Sequence, residues 1–288
     1  MADLININSM YRMNNGVQIP CVGYGTFRTP NEVAQQAVAD AIEVGYRHID
    51  TAAVYGNEEG VGAGIKQSGI NRHRLFLTSK LWNDHRGYKK AKEALDETLQ
   101  RLQTDYLDLY LIHWPANKKQ FGDQAAELNA ESWRAMEEAY HEGKIRALGL
   151  SNFMPHHIAE LMKTAEIEPA VDQIEVHPGW THLEEIKYLQ AHNIVVEGWG
   201  PLGGQGAHVM DNTTMIQLAD KYGKTPAQIS LRWAIQHGVL PLPKSTHKER
   251  MVKNTELFDF IISDDDMATI DRLPNLGGQC ADPDEVDF

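Results

Sequence analysis

Four residues of this 288-residue chain have types that together could move a proton to a carbonyl oxygen: Asp50, Tyr55, Lys80 and His113. The first two share one turn, HIDTAAVYGNEE (48–59), in which an apolar run ends on a carboxylate and a phenol follows five positions later. A phenol with an ordinary pKa of ~10 is a poor acid at neutral pH unless a nearby positive charge favours its phenolate. Lys80 would supply that charge, and Asp50 would keep the lysine ionised and oriented in a partly dry site. His113, if neutral, would donate a hydrogen bond to a substrate oxygen. The set makes a proton donor with an oxyanion site, chemistry suited to reducing a carbonyl. It needs neither a covalent nucleophile nor a metal. His156, His157, His177, His182 and His192 lack metal-ligand spacing, so surface or structural roles are expected and no metal site is assigned. Two other functions stay open. A Schiff-base lyase or aldolase would use Lys80 as its amine, but needs it uncharged beside Asp50. A non-catalytic protein that only binds its ligand would keep the fold and lose turnover.

Something must bring these side chains together. Short strand-like runs precede helical patterns along the whole chain: CVGYG (21–25), then runs ending at Asp50, Lys80, His113 and Ser151-Asn152, and PAVDQ (169–173), IVVEG (194–198) and VLPLP (239–243). One such helical pattern is Ala91, Leu95, Leu99 and Leu102, spaced to bury a single face. Alternation of this kind predicts a parallel sheet, and about eight strands predict a closed (β/α)8 TIM barrel over residues 1–288 as one domain. Any lone Asp after a strand is usually a helix cap. Polar residues at six or seven successive strand ends, Gln173, Trp199 and Lys244-Ser245 among them, indicate one site on the face where those ends converge. YRMNNGVQIP predicts a hairpin at Asn15-Gly16 capping the barrel bottom. A doubly wound sheet would place a phosphate fingerprint after the first strand. The only similar string, GVGAG (60–64), falls in a helical stretch and is expected to be a close-packed helix face. Glu58-Glu59 before it should only start that helix.

Composition narrows the partners. Forty acidic against 27 basic residues give a net charge of −13, which argues against nucleic-acid binding and against attachment to anionic lipid. Two cysteines, Cys21 and Cys280, fit a reducing compartment rather than a disulfide scaffold. MADLININSM has no basic-then-apolar leader pattern, so a cytoplasmic monomer acting on a small molecule is expected.

GYRHIDTAAVYGNEEGVGAGI (45–65), LQTDYLDLYLIHWP (102–115) and PLPKSTHKERMVKN (241–254) resemble the signature segments of the aldo-keto reductases, over nearly the whole chain. GYGTF, KLWND and EGWGPLG look most like the bacterial 2,5-diketo-D-gluconate reductase group. The resemblance implies the tetrad Asp50, Tyr55, Lys80, His113 with Tyr55 as general acid, and NADP(H) lying across the barrel top, with NAD(H) a weaker alternative. It implies nicotinamide contacts from Ser151, Asn152, Gln173 and the stacking Trp199, and a pyrophosphate loop at Gly200 and Leu202. Lys244, Ser245, Thr246 and Arg250 would clamp the 2′-phosphate, with Gly25, Thr26 and Asn254 also on the cofactor. Lys and Arg are the donors that a dianionic phosphate calls for. Lys253 departs from the family pattern, which usually has Glu there. The loop GPLGGQGAHVMDN is short, which predicts loose cofactor enclosure. Tyr24, Phe27, Trp82, Asn83, Trp114 and Trp180 are expected to line a pocket for small aldehydes, ketones, α-dicarbonyls or keto-sugars. The loop LGGQCADPDEVDF would lie over the barrel top with Cys280 facing the opening.

Overall fold

A computed structural model describes residues 4–288; Met1–Asp3, the head of the stretch expected to carry no leader, lie outside the described residues. After a hairpin of β1 (Met10–Arg12) and β2 (Gln18–Pro20), eight strands run parallel in chain order. They are β3 (Tyr24–Gly25), β4 (His48–Asp50), β5 (Phe76–Leu81), β6 (Leu109–Ile112), β7 (Leu148–Ser151), β8 (Val171–Glu175), β9 (Val195–Trp199) and β10 (Val239–Pro241). Most of their residues are buried on both faces, which is why they read as continuous apolar runs rather than as alternating ones. The sheet curls shut where Gly23 N–H donates to Pro241 O at 3.1 Å and Gly25 N–H to Pro243 O at 3.1 Å. The expected barrel is therefore closed, and its helices lie outside it.

At the bottom, Gly16 (φ +85°) turns the hairpin, and Met13 N–H donates to Val17 O. The hairpin drives Met13 and Ile19 against Phe76, Leu109, Ala147 and Ala170 at the strand starts. Full burial of side chains this size stabilises by roughly 1.5–3 kcal/mol each, so the hairpin plugs the barrel from below.

Helix Glu58–Gln67 lies close to its neighbours because three glycines face them. A Cβ would come within 2.3 Å of Asn31 O at Gly60, 2.6 Å of Leu102 O at Gly62 and 2.4 Å of Gln35 O at Gly64. GVGAG is thus a packing face, as expected. Glu58 corrects the sequence reading of a mere helix start. It is buried, accepts from Ser79 Oγ at 2.5 Å and pairs with Arg101 Nε at 2.7 Å, tying the helix to β5 and to helix Tyr88–Leu102. Among the described residues no helix is long and apolar enough to cross a membrane.

Candidate active site

Asp50 ends β4, Lys80 lies in β5 and His113 follows β6, so three successive strand ends deliver them to one face. Tyr55 arrives by a short helical turn, Ala53–Tyr55, released by Gly56 in the left-handed region (φ +64°). Lys80 Nζ donates to Asp50 Oδ1 at 2.7 Å and Oδ2 at 2.8 Å, and to Thr51 O at 3.0 Å. At 3.3 Å it also faces the Tyr55 hydroxyl. The Tyr55 and His113 rings meet edge-on with centroids 5.7 Å apart.

Electrostatics fix the protonation states. Burial is the strongest single influence on Lys80 and works against its charge, but Asp50 and Tyr55 together more than offset it, so its pKa is raised and the amine stays charged. Burial, with Lys80 opposing protonation further, pushes His113 well below the ordinary imidazole value, so the ring is neutral. Tyr55 is raised: burial dominates, with Lys80 pulling the other way. Lys80 therefore acts in the expected direction, but burial outweighs it, so the phenol is not the strengthened acid that the sequence suggested. Tyr55 keeps its proton at neutral pH.

Beneath this set lies a polar column that spacing in the sequence does not show. Gln173 Nε2 donates to Asp50 Oδ2 at 2.9 Å and to Glu197 Oε2 at 2.6 Å. Burial, then the charge of Asp50, pushes the Glu197 carboxyl up to about 8. Its second oxygen lies 3.6 Å from His48, whose ring burial pushes down to about 3. With its amide N–H groups committed inward, Gln173 has its Oε1 for a ligand.

Ser151, Asn152 and Trp199 sit together with Gln173. Ser151 Oγ donates to Gln173 O at 2.8 Å; Asn152 Nδ2 donates to His113 O at 2.9 Å, and its Oδ1 accepts from Trp199 Nε1 at 2.9 Å. Asn152 is left-handed (φ +63°), a conformation that Asn tolerates better than most residues. Trp199 is thus locked in orientation and left half-buried. Gly200 (φ +59°) and Leu202 begin the short loop; its Gln205 Oε1 accepts from Arg28 Nη1 at 2.9 Å. Gly25 is tightly placed, since a Cβ would lie 3.0 Å from Leu242 O, and Thr26 is buried on Asp50 O. Farther out, the basic segment divides in two. Lys248 pairs with Glu43 and Lys253 with Glu256. Arg250 and Lys244 are exposed and pair with no carboxylate among the described residues. Ser245 and Thr246 lie between them, and Asn254 caps the helix that carries Arg250.

The expected pocket residues separate. Phe27, 45% exposed, leans on Tyr55 at 5.0 Å, and Trp82 meets His113 edge-on at 5.2 Å. Trp82 stacks on Phe288 at 6.0 Å, and Trp114 meets the same ring edge-on at 5.3 Å. Asn83 Nδ2 donates to Phe288 O, and Asn117 Nδ2 to Pro283 O and Val286 O. Tyr24 is not a pocket residue. Its side chain is buried against Tyr46 in the core, and its hydroxyl donates to Ser245 O at 2.5 Å, bracing the basic segment from behind. Trp180 has His182 as its aromatic partner, not the Trp82–Phe288 wall. Phe288 and Asn117 were missed by sequence reasoning; only their position in a loop expected over the top, and an Asn just after HWP, hinted at them.

Comparison with known proteins agrees across the chain. Residues 21–275 match the family described as the Aldo/keto reductase family. The chain is 45% identical over 284 residues to the glyoxal reductase of Bacillus subtilis, covering 98% of this chain and 99% of that one. An aldo-keto reductase from a Medee basin deep-sea metagenome library superposes with a TM-score of 0.90 at 40% identity, covering 96% of this chain and all of that one. The Bombyx mori aldo-keto reductase, solved in complex with NADP, gives 0.84 at 36% identity, with 94% and 99% covered.

Proposed function

The chain belongs to the aldo/keto reductase family, and on that premise we propose that it is an NADPH-dependent reductase of small aldehydes, ketones and α-dicarbonyls. The observation that carries the chemistry is the Tyr55 hydroxyl 3.3 Å from a Lys80 amine that Asp50 grips through both oxygens. When bound, the dihydronicotinamide supplies a hydride to the carbonyl carbon. Tyr55 gives its proton to the carbonyl oxygen, which becomes the alcohol hydroxyl, and Lys80 stabilises the phenolate left behind. Neutral His113 beside the phenol orients that oxygen. Lys80 is charged, so the free amine that a Schiff base requires is not offered.

The residues present suit the cofactor. Trp199, held by Asn152, offers a fixed aromatic face, and Gln173 Oε1 an acceptor for an amide. Lys244 and Arg250 are the cations left for a phosphate, which favours NADPH over NADH. One side-chain link, Arg28 to Gln205, crosses beside the short loop, so rapid cofactor release is expected, measurable by stopped-flow fluorescence. The aromatic wall of Phe27, Trp82, Trp114 and Phe288 suits small substrates; the diketogluconate branch is not singled out by the relatives above.

The test is NADPH and NADH consumption over glyoxal, methylglyoxal, aromatic aldehydes, xylose and 2,5-diketogluconate. Turnover of the dicarbonyls with NADPH is expected. Turnover with no carbonyl in the panel would sink the proposal.

A further inference from the structure

We propose that Glu175, His177 and Cys280 form a binding site for a zinc-class divalent ion, fastening the C-terminal loop to the end of β8. Glu175 closes β8, His177 lies two residues on, and Cys280 comes from a loop more than a hundred positions away. The imidazole nitrogen, a carboxylate oxygen and the thiol sulfur lie within 4.8 Å of one another. The site lies outside the proposed carbonyl chemistry and uses none of its residues.

The tautomer of His177 carries the argument. The ring is fully buried, and Nδ1 lies 3.0 Å from Pro178 O. A carbonyl only accepts, so Nδ1 bears the hydrogen. In the neutral ring Nε2 is then a lone pair, and it faces Glu175 Oε1 at 3.3 Å. Two acceptors at that distance need a cation between them. Two ligands on one zinc, each bonded at about 2.0–2.2 Å in a tetrahedron, stand about 3.3–3.6 Å apart. A histidine whose other nitrogen donates to a backbone carbonyl is also the arrangement that orients metal ligands. Gln279 N–H and Cys280 N–H donate to the two oxygens of Glu175 at 2.9 and 2.6 Å, which fixes the carboxylate and leaves each oxygen a further lone pair. Burial, then the charge of Glu175, raises the Cys280 thiol, so metal binding displaces one proton from sulfur. A mixed N, O, S set selects zinc-class ions over magnesium or calcium, and leaves a fourth position for water.

The same reasoning excludes the other cluster of this kind. His156, His157 and Asp284 also converge. There His157 Nδ1 accepts from Met154 N–H at 3.1 Å, so Nε2 bears the hydrogen and donates to Asp284 Oδ1 at 3.1 Å. That nitrogen has no lone pair to give a metal. The cluster is a hydrogen-bonded latch.

A proton is the competing occupant: His177 as imidazolium paired with Glu175. Cobalt(II) separates the two. Titrated into the chelator-stripped protein, it should give one saturable equivalent of thiolate-to-cobalt charge-transfer absorption, displaced by zinc. The band should vanish in Cys280→Ser, whose half-exposed position spares the fold, and persist in His156→Ala. Zinc should raise the melting temperature of the parent chain and not of Cys280→Ser. No saturable band in the parent chain, or one that survives Cys280→Ser, overturns the site.

Discussion

Two carboxylates at opposite ends of the barrel, Asp50 and Asp108, are both buried and both paired with cations, yet they are finished differently. At the bottom, Asp108 accepts from Arg72 at 2.7 Å, Arg146 at 2.6 Å and Leu77 N–H at 3.0 Å. Arg72 also donates to Thr104 Oγ1, Leu75 O and Tyr106 O. That network is closed. At the top, the chain from Glu197 through Gln173, Asp50 and Lys80 ends on the Tyr55 hydroxyl, whose proton is not consumed by a carboxylate. His113 Nδ1 is buried with no partner among the described residues. The same ion-pair chemistry looks structural where it ends on arginines and backbone, and suited to the proposed reaction where it ends on a phenol proton that no carboxylate takes.

The largest way to break this contrast is Tyr55→Phe. It removes the uncommitted proton and little volume, so kcat for reduction should fall about 10²–10⁴-fold. Cofactor binding, followed by protein fluorescence, should not change. Unchanged kcat would end the assignment of Tyr55 as acid. The protonation states sharpen it next. Tyr55 is raised, so its acid form persists up to its pKa and reduction should decline only above the ordinary phenol value of ~10. His113 is lowered, so it stays neutral as pH falls, and no acid limb should appear near ~6.5. A limb there would show that His113 titrates in the working range. A smaller effect is expected from Arg250→Ala. Loss of one hydrogen bond to a charged group, about 1.5–3 kcal/mol, should raise KM for NADPH by about tenfold or more and leave KM for NADH alone. Equal changes for both cofactors would place the 2′-phosphate elsewhere.

How much of this the sequence revealed depends on whether a role follows from chain position. Asp50, Lys80 and His113 are legible because parallel strands all end on one face, so the residue after each apolar run is placed by topology alone. The hairpin at Asn15-Gly16 and the glycine face of helix Glu58–Gln67 are legible for similar local reasons. Glu58 was misread because its fate depends on Arg101, 43 residues away. Tyr24 was misread because a two-residue strand gives no alternation from which to tell inside from outside. Gln173, Glu197 and His48 became a column only when the barrel closed. Glu175, His177 and Cys280 share no spacing at all, and the fold alone makes them neighbours.

Asp108→Asn tests the closed end, and its expected effect on turnover is the smallest of all. The amide keeps the shape but removes the charge, leaving Arg72 and Arg146 facing each other across a neutral group. Both arginines are partly exposed, so water offsets much of the loss. One of the accepted bonds must also fail, because the amide nitrogen cannot accept. The cost should be about 1–3 kcal/mol of stability. For a chain of this size that lowers the melting temperature by roughly 2–4 °C per kcal/mol, readable by calorimetry. The effect on kcat and on KM should be within error, because nothing from Asp108 reaches the tetrad through a hydrogen bond. A loss of kcat comparable with that of Tyr55→Phe would show that the two ends are coupled, and that the bottom network works for the site as well as for the fold.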